Sequence, residues 1–149
     1  WFLLKSFSKE IVSVESIMGH FAHVNSVKCS SNNKGGKQGP GKMFKNCMEY
    51  LPREIEILEP AIIVTQGDKA KNALETKFGS TVRADPKLNL NNYPKIKVIS
   101  VNNTRTLWIH TYHPSQRQGF YYKMNLPRAD DYSLIVQKFS KLLSGPEEA

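Results

Sequence analysis

Three stretches of the chain hold residues able to do chemistry. Residues 23–29 read His-Val-Asn-Ser-Val-Lys-Cys, with Asn25 among apolar and small neighbours and Cys29 at the end; Cys47 follows eighteen positions later. Ile62, Ile63 and Val64 lead into Thr65, Gln66 and Gly67, and a third stretch reads Tyr112, His113, Pro114, Ser115. The amides of Asn25 and Gln66 offer both donor and acceptor atoms, and the imidazole of His113 can donate, accept or carry charge. Each also has a plain reading: an Asn closing a strand, a Gln in a turn, a structural His. Beyond His113 come Arg117, Lys123 and Arg128, interleaved with Phe120, Tyr121 and Tyr122. That mixture suits phosphate contact and stacking on an unpaired base, or equally a solvated loop packed by its own aromatics. Lys34, Lys37, Lys42 and Lys45 lie in or beside a glycine-rich stretch, where they form either a backbone-tracking patch or an ordinary soluble surface.

These residues need elements to hold them. Phe2, Leu3, Phe7, Ile11, Val14 and Ile17 recur at three- and four-residue spacing, which predicts an early helix packed on a sheet. Residues 21–28 alternate as a short strand would, carrying Asn25 toward its C-terminal end. Residues 30–41 are Ser, Asn, Gly, Lys, Gln and Pro, with little to bury, and predict a flexible polar loop. Helical spacing runs over 43–58, where Pro52 predicts a kink or a fresh start and Pro60 a stop. The apolar run at 61–64, the turn at 65–67 and the helix-forming residues 68–78 make a strand, turn and helix unit. Residues 95–101 and 106–112 predict two strands around a turn at Asn102 and Asn103, and 130–143 a final amphipathic helix. Strands interleaved with helices predict an α/β domain, three layers of α/β/α around a short, largely parallel central sheet. Asn25, Gln66 and His113 are then expected to converge at the strand ends, where such folds place ligands.

With 149 residues, 40% of them hydrophobic, the chain is sized for one domain with a substantial core. Its 21 Lys and Arg against 13 Asp and Glu give a net charge of +8, which favours phosphate-rich partners. No apolar run is long enough for a bilayer, so no membrane partner is expected. Two cysteines make neither a disulfide framework nor a complete all-cysteine metal site, and an intracellular setting is expected. The chain begins at Trp1 rather than Met, so an N-terminally incomplete domain is expected.

Taken in order, the segment at 23–29, the Cys47-Met48-Glu49-Tyr50-Leu51 helix with Glu54, Ile55, Leu58 and Pro60, the strand and turn ending at Gly67 with Ala70 beyond, and His113-Pro114-Ser115 resemble the uracil-DNA glycosylase superfamily. The likeness is greatest to the branch whose middle region reads Asn-x-Val-Lys-Cys and whose last motif begins His-Pro-Ser. It covers roughly residues 21–115.

The resemblance implies DNA as partner and hydrolytic removal of a flipped-out uracil as activity. It gives Asn25 recognition of the base, beside which Gln66 is expected from its strand-end position, and gives His113 stabilisation of the charge that develops on a uracil carbonyl oxygen as the glycosidic bond breaks. Ser115 would meet a DNA phosphate, and Arg117, Lys123, Lys34 and Lys37 would extend that contact. Cys29 and Cys47 lie close to the arrangement of two cluster cysteines in the iron-sulfur branch; two more cysteines are expected upstream, so a cluster is expected only in a longer native protein and no cofactor in this chain alone. The pattern departs from the family in two places. Nothing at 1–19 resembles its Gly-Glu-x-Pro-Gly motif, which positions the hydrolytic water, and Ser30, Ser31 and Asn32 stand where the family has Arg-Pro-Pro. A noncatalytic DNA-binding or protein-interaction module of the same fold is therefore the alternative. An unrelated small-molecule enzyme is disfavoured, because Thr65-Gln66-Gly67 makes no phosphate loop and no catalytic triad is visible.

Overall fold

A computed structural model describes residues 13–25, 41–82, 87–111 and 129–144. Their elements are α1 (Val14–Ile17), α2 (Gly41–Cys47), α3 (Tyr50–Leu58), β1 (Ile62–Gln66), α4 (Asp68–Phe78), β2 (Ile96–Val101), β3 (Thr104–Thr111) and α5 (Ala129–Leu143). The sheet order is β1-β3-β2. β1 runs parallel to β3, with Ile62 opposite Leu107 and Gln66 opposite Thr111; β2 runs antiparallel to β3, with Val101 opposite Thr104.

Alternation along the strands divides the core in two. On one face, Ile99 and Val101 of β2 and Trp108 of β3 bury against Leu51 and Ile55 of α3 and Ala73, Leu74 and Phe78 of α4. On the other, Ile96, Val98, Leu107 and Ile109 bury against Ile135, Val136 and Phe139 of α5. Helices thus cover both faces of the sheet, the α/β/α layering expected from the sequence. As the central strand, β3 is buried on both sides from Thr106 to His110.

Local chemistry explains the boundaries. Met48 and Glu49 separate α2 from α3, and Pro52 falls in the first turn of α3, where a missing N–H costs nothing. The fresh start is thus realised rather than a kink. α3 ends where Glu59 turns left-handed (φ 41°), with Pro60 next. The hairpin between β2 and β3 turns on Asn102 and Asn103, with φ of 47° and 64°, the left-handed pair that two-residue hairpins require. Asn102 Nδ2 also donates to the Glu56 carbonyl and to Glu59 Oε1, both at 3.0 Å, closing the C-terminal end of α3.

Two expectations are corrected. A continuous helix through 2–17 does not form, because Ser13 is extended (φ −130°, ψ 164°) and opens α1 as an N-cap, its side chain accepting from the Ser16 backbone N–H while the Ser16 hydroxyl accepts from that of Ser13. Residues 21–25, the described part of the expected strand at 21–28, lie outside the sheet. Phe21 is 60% exposed and only Val24 of this segment packs on the core, so one side chain, rather than an alternating face, anchors it. The polar loop at 30–41 lies outside the described residues save Gly41, which opens α2.

Candidate functional site

The parallel pair β1 and β3 creates the point of interest. Gln66, the last residue of β1, pairs with Thr111, the last of β3, and the ladder closes with Gly67 N–H donating to the Thr111 carbonyl at 2.9 Å. Gly67 holds φ 83° and ψ 160°, a conformation open essentially only to glycine, and this turns the chain from β1 into α4 within one residue. The turn sets the exposed Gln66 amide and the first N–H groups of α4 at the C-terminal end of the parallel strands, the usual ligand side of an α/β sheet. His113 follows Thr111 by two positions in the sequence.

Beneath this turn is a buried polar chain. Trp108 Nε1 donates to Thr65 Oγ1 at 2.9 Å, Thr65 Oγ1 lies 3.2 Å from His110 Nδ1, and His110 Nε2 lies 3.7 Å from Asp68 Oδ1. Thr65 and His110 are both 6% exposed, whereas the Asp68 side chain is 83% exposed. Burial first, then the nearby Lys95, depresses the pKa of His110 below its ordinary 6.5; Lys71 adds to this, while Asp68 and the Thr65 backbone act the other way. The ring is therefore neutral at pH 7. Farther along the same face, Lys97 Nζ lies over the Trp108 ring at 5.2 Å and bonds Glu75 at 3.0 Å, with Lys71 on the other carboxylate oxygen at 3.1 Å. These two lysines hold the Glu75 carboxyl below its ordinary range.

Of the residues singled out from the sequence, Gln66 stands at the strand end as expected. Asn25 is exposed in non-regular backbone rather than at a strand end. Its expected placement followed from the strand at 21–28, and the unpaired segment removes that support. Cys47 is buried at the end of α2. Cys29, Lys34, Lys37, His113, Ser115, Arg117 and Lys123 lie outside the described residues. The chain's two cysteines fall short of the four thiolates of an iron-sulfur cluster. Among the described residues no group of three or more His, Cys, Asp or Glu is arranged to hold a metal, and no helix is long and apolar enough to cross a membrane. Sequence reasoning missed Thr65, His110 and Asp68. The available signal was the alternation of Thr106, Trp108 and His110, which puts a polar residue at either end of a buried strand face.

The three-layer α/β arrangement sets a polar turn and a buried histidine at the C-terminal ends of the parallel strands, the side on which α/β sheets generally bind ligands. The family model for the uracil DNA glycosylase superfamily matches residues 1–138, and the chain belongs to that superfamily. The match extends to both sides of the segment that carries the sequence motifs. No curated protein sequence matches the chain.

Proposed function

We propose that this domain binds DNA and removes uracil from it by hydrolysing the N-glycosidic bond of a flipped-out deoxyuridine. The observation that carries the reading is membership of the uracil DNA glycosylase superfamily over residues 1–138, joined to the order of the segments at 23–29, 62–67 and 112–115. In this reading the Asn25 amide pairs with the polar edge of the base, with Gln66 beside it. A water supplies the oxygen that bonds to the sugar carbon and gives up a proton, the carbon–nitrogen bond breaks, and its electron pair leaves with uracil, whose anion is then protonated. His113 donates a hydrogen bond to the carbonyl oxygen on which that charge collects, an arrangement that needs little reorganisation as the bond breaks. Ser115, Arg117, Lys123, Lys34 and Lys37 meet phosphates, in keeping with the net charge of +8.

The second reading is a noncatalytic DNA-binding or protein-interaction module of the same fold. Incubation of the protein with a duplex carrying one uracil, scored for abasic sites beside a thymine control, separates the two. Uracil-dependent abasic sites that diminish in both Asn25→Ala and His113→Ala support the glycosylase; retention of the duplex without abasic sites supports the binding module.

A further inference from the structure

The polar chain from buried Trp108 to exposed Asp68 has a direction. An indole N–H only donates, so Thr65 Oγ1 accepts from Trp108 at 2.9 Å and keeps its own proton to give away. His110 Nδ1, at 3.2 Å, is the ring nitrogen beside it, and it accepts that proton when the ring is the Nε2–H tautomer. A ring that accepts at Nδ1 and is neutral bears its proton on Nε2, the nitrogen facing Asp68 Oδ1 at 3.7 Å. The members flank the candidate site: Thr65 precedes Gln66, Asp68 follows Gly67, and His110 precedes Thr111, whose carbonyl takes the Gly67 N–H.

We propose that His110, held as the neutral Nε2–H tautomer by Thr65, is a positioning residue that fixes the Gln66–Gly67–Asp68 turn against the end of β3, and that its protonation loosens this turn. The tie to uracil excision rests on the function proposed above; the tie to the turn does not. The groups facing the ring are Thr65 on β1, Asp68 and Lys71 on α4, and Lys95 just before β2. A proton on Nδ1 turns the ring into a donor there, so two N–H groups then converge on Thr65 Oγ1 and the hydroxyl proton loses its acceptor. The new cation is also largely buried and has two lysines near it. The change at Thr65 falls on the residue that leads into the turn, while Asp68 at the far end attracts the cation and offsets part of the loss.

Nitrogen-15 NMR of the His110 ring, recorded across pH together with the amide-exchange protection of Gly67, tests the proposal. The expected results are the Nε2–H tautomer at neutral pH and a loss of Gly67 protection that follows ring protonation. That loss is on the order of tenfold, the change that one hydrogen bond of stability gives. Asp68→Asn, a change at an exposed side chain, removes the acidic neighbour and moves both midpoints to lower pH together. An Nδ1–H tautomer, or Gly67 protection indifferent to the ring, overturns the proposal. Uracil excision followed in parallel adds a functional readout: the acid limb of kcat shifts with Asp68→Asn while KM stays, and an unmoved limb counts against His110. Absence of excision in the unaltered protein contradicts the proposed function, while the NMR result still decides the role of His110.

Discussion

Thr65 carries more than its size implies. One hydroxyl serves the Trp108 indole and the His110 ring inside a buried region, so Thr65→Val leaves a buried N–H without an acceptor. The expected loss is about 1–3 kcal/mol in urea denaturation, most of it restored in Thr65→Ser, which keeps the oxygen. His110 sets a pH dependence whose sign follows from its depressed pKa. The unfolded chain takes up a proton near the ordinary value of 6.5 while the folded chain resists it, so this contribution is whole above about pH 6.5 and is lost as the pH falls below it. Denaturation midpoints measured between pH 5 and 7.5 are expected to fall on the acid side, with a flatter profile in His110→Gln. Gln66 was legible in the sequence because its place depends on local pattern, an apolar run ended by Gly67. His110 was not, because its partner Thr65 lies 45 positions away and only the pairing of β1 with β3 joins them.

The elements were legible where punctuation was strong. Pro52, Pro60, Gly67 and the Asn102–Asn103 pair mark boundaries that α3, β1, α4 and the hairpin keep, because each changes the backbone conformations available to its neighbours. The segment at 21–28 misled, since alternating polarity specifies a strand only when a neighbouring strand takes up its hydrogen bonds, and residues 21–25 have none in the sheet. Asn102 shows how one residue links two elements: its backbone makes the hairpin turn and its amide closes α3. Asn102→Asp keeps the turn but sets a carboxylate against the Glu56 carbonyl and Glu59. A destabilisation of about 1 kcal/mol is expected in thermal or urea unfolding, larger at low salt than at high salt. Equal stability of the two forms would mean that the amide contacts contribute nothing.

For the molecule as a whole, β3 is the shared wall of two cores, one closed by α3 and α4 and the other by α5. Phe139, fully buried on the α5 side, tests whether they unfold together. Phe139→Ala is expected to cost about 3–5 kcal/mol, a large part of a small domain's stability, and to move the transition seen from Trp108 on the opposite face by the same amount. The α/β class was legible from the alternation of strand and helix patterns, and the hairpin from its turn residues, whereas the sheet order β1-β3-β2 required the structure. Function stands at the same scale, since superfamily membership spans residues 1–138 while the proposed recognition and leaving-group roles rest on Asn25 and His113. The most direct measurement is the release of free uracil from a uracil-containing oligonucleotide under single-turnover conditions, with the protein compared to His113→Ala. Stoichiometric uracil is expected from the unaltered protein and a rate lower by roughly 100- to 1,000-fold in the variant, the scale of losing one charge-stabilising donor. Equal release from both proteins, or none from the unaltered one, would contradict the glycosylase role of His113.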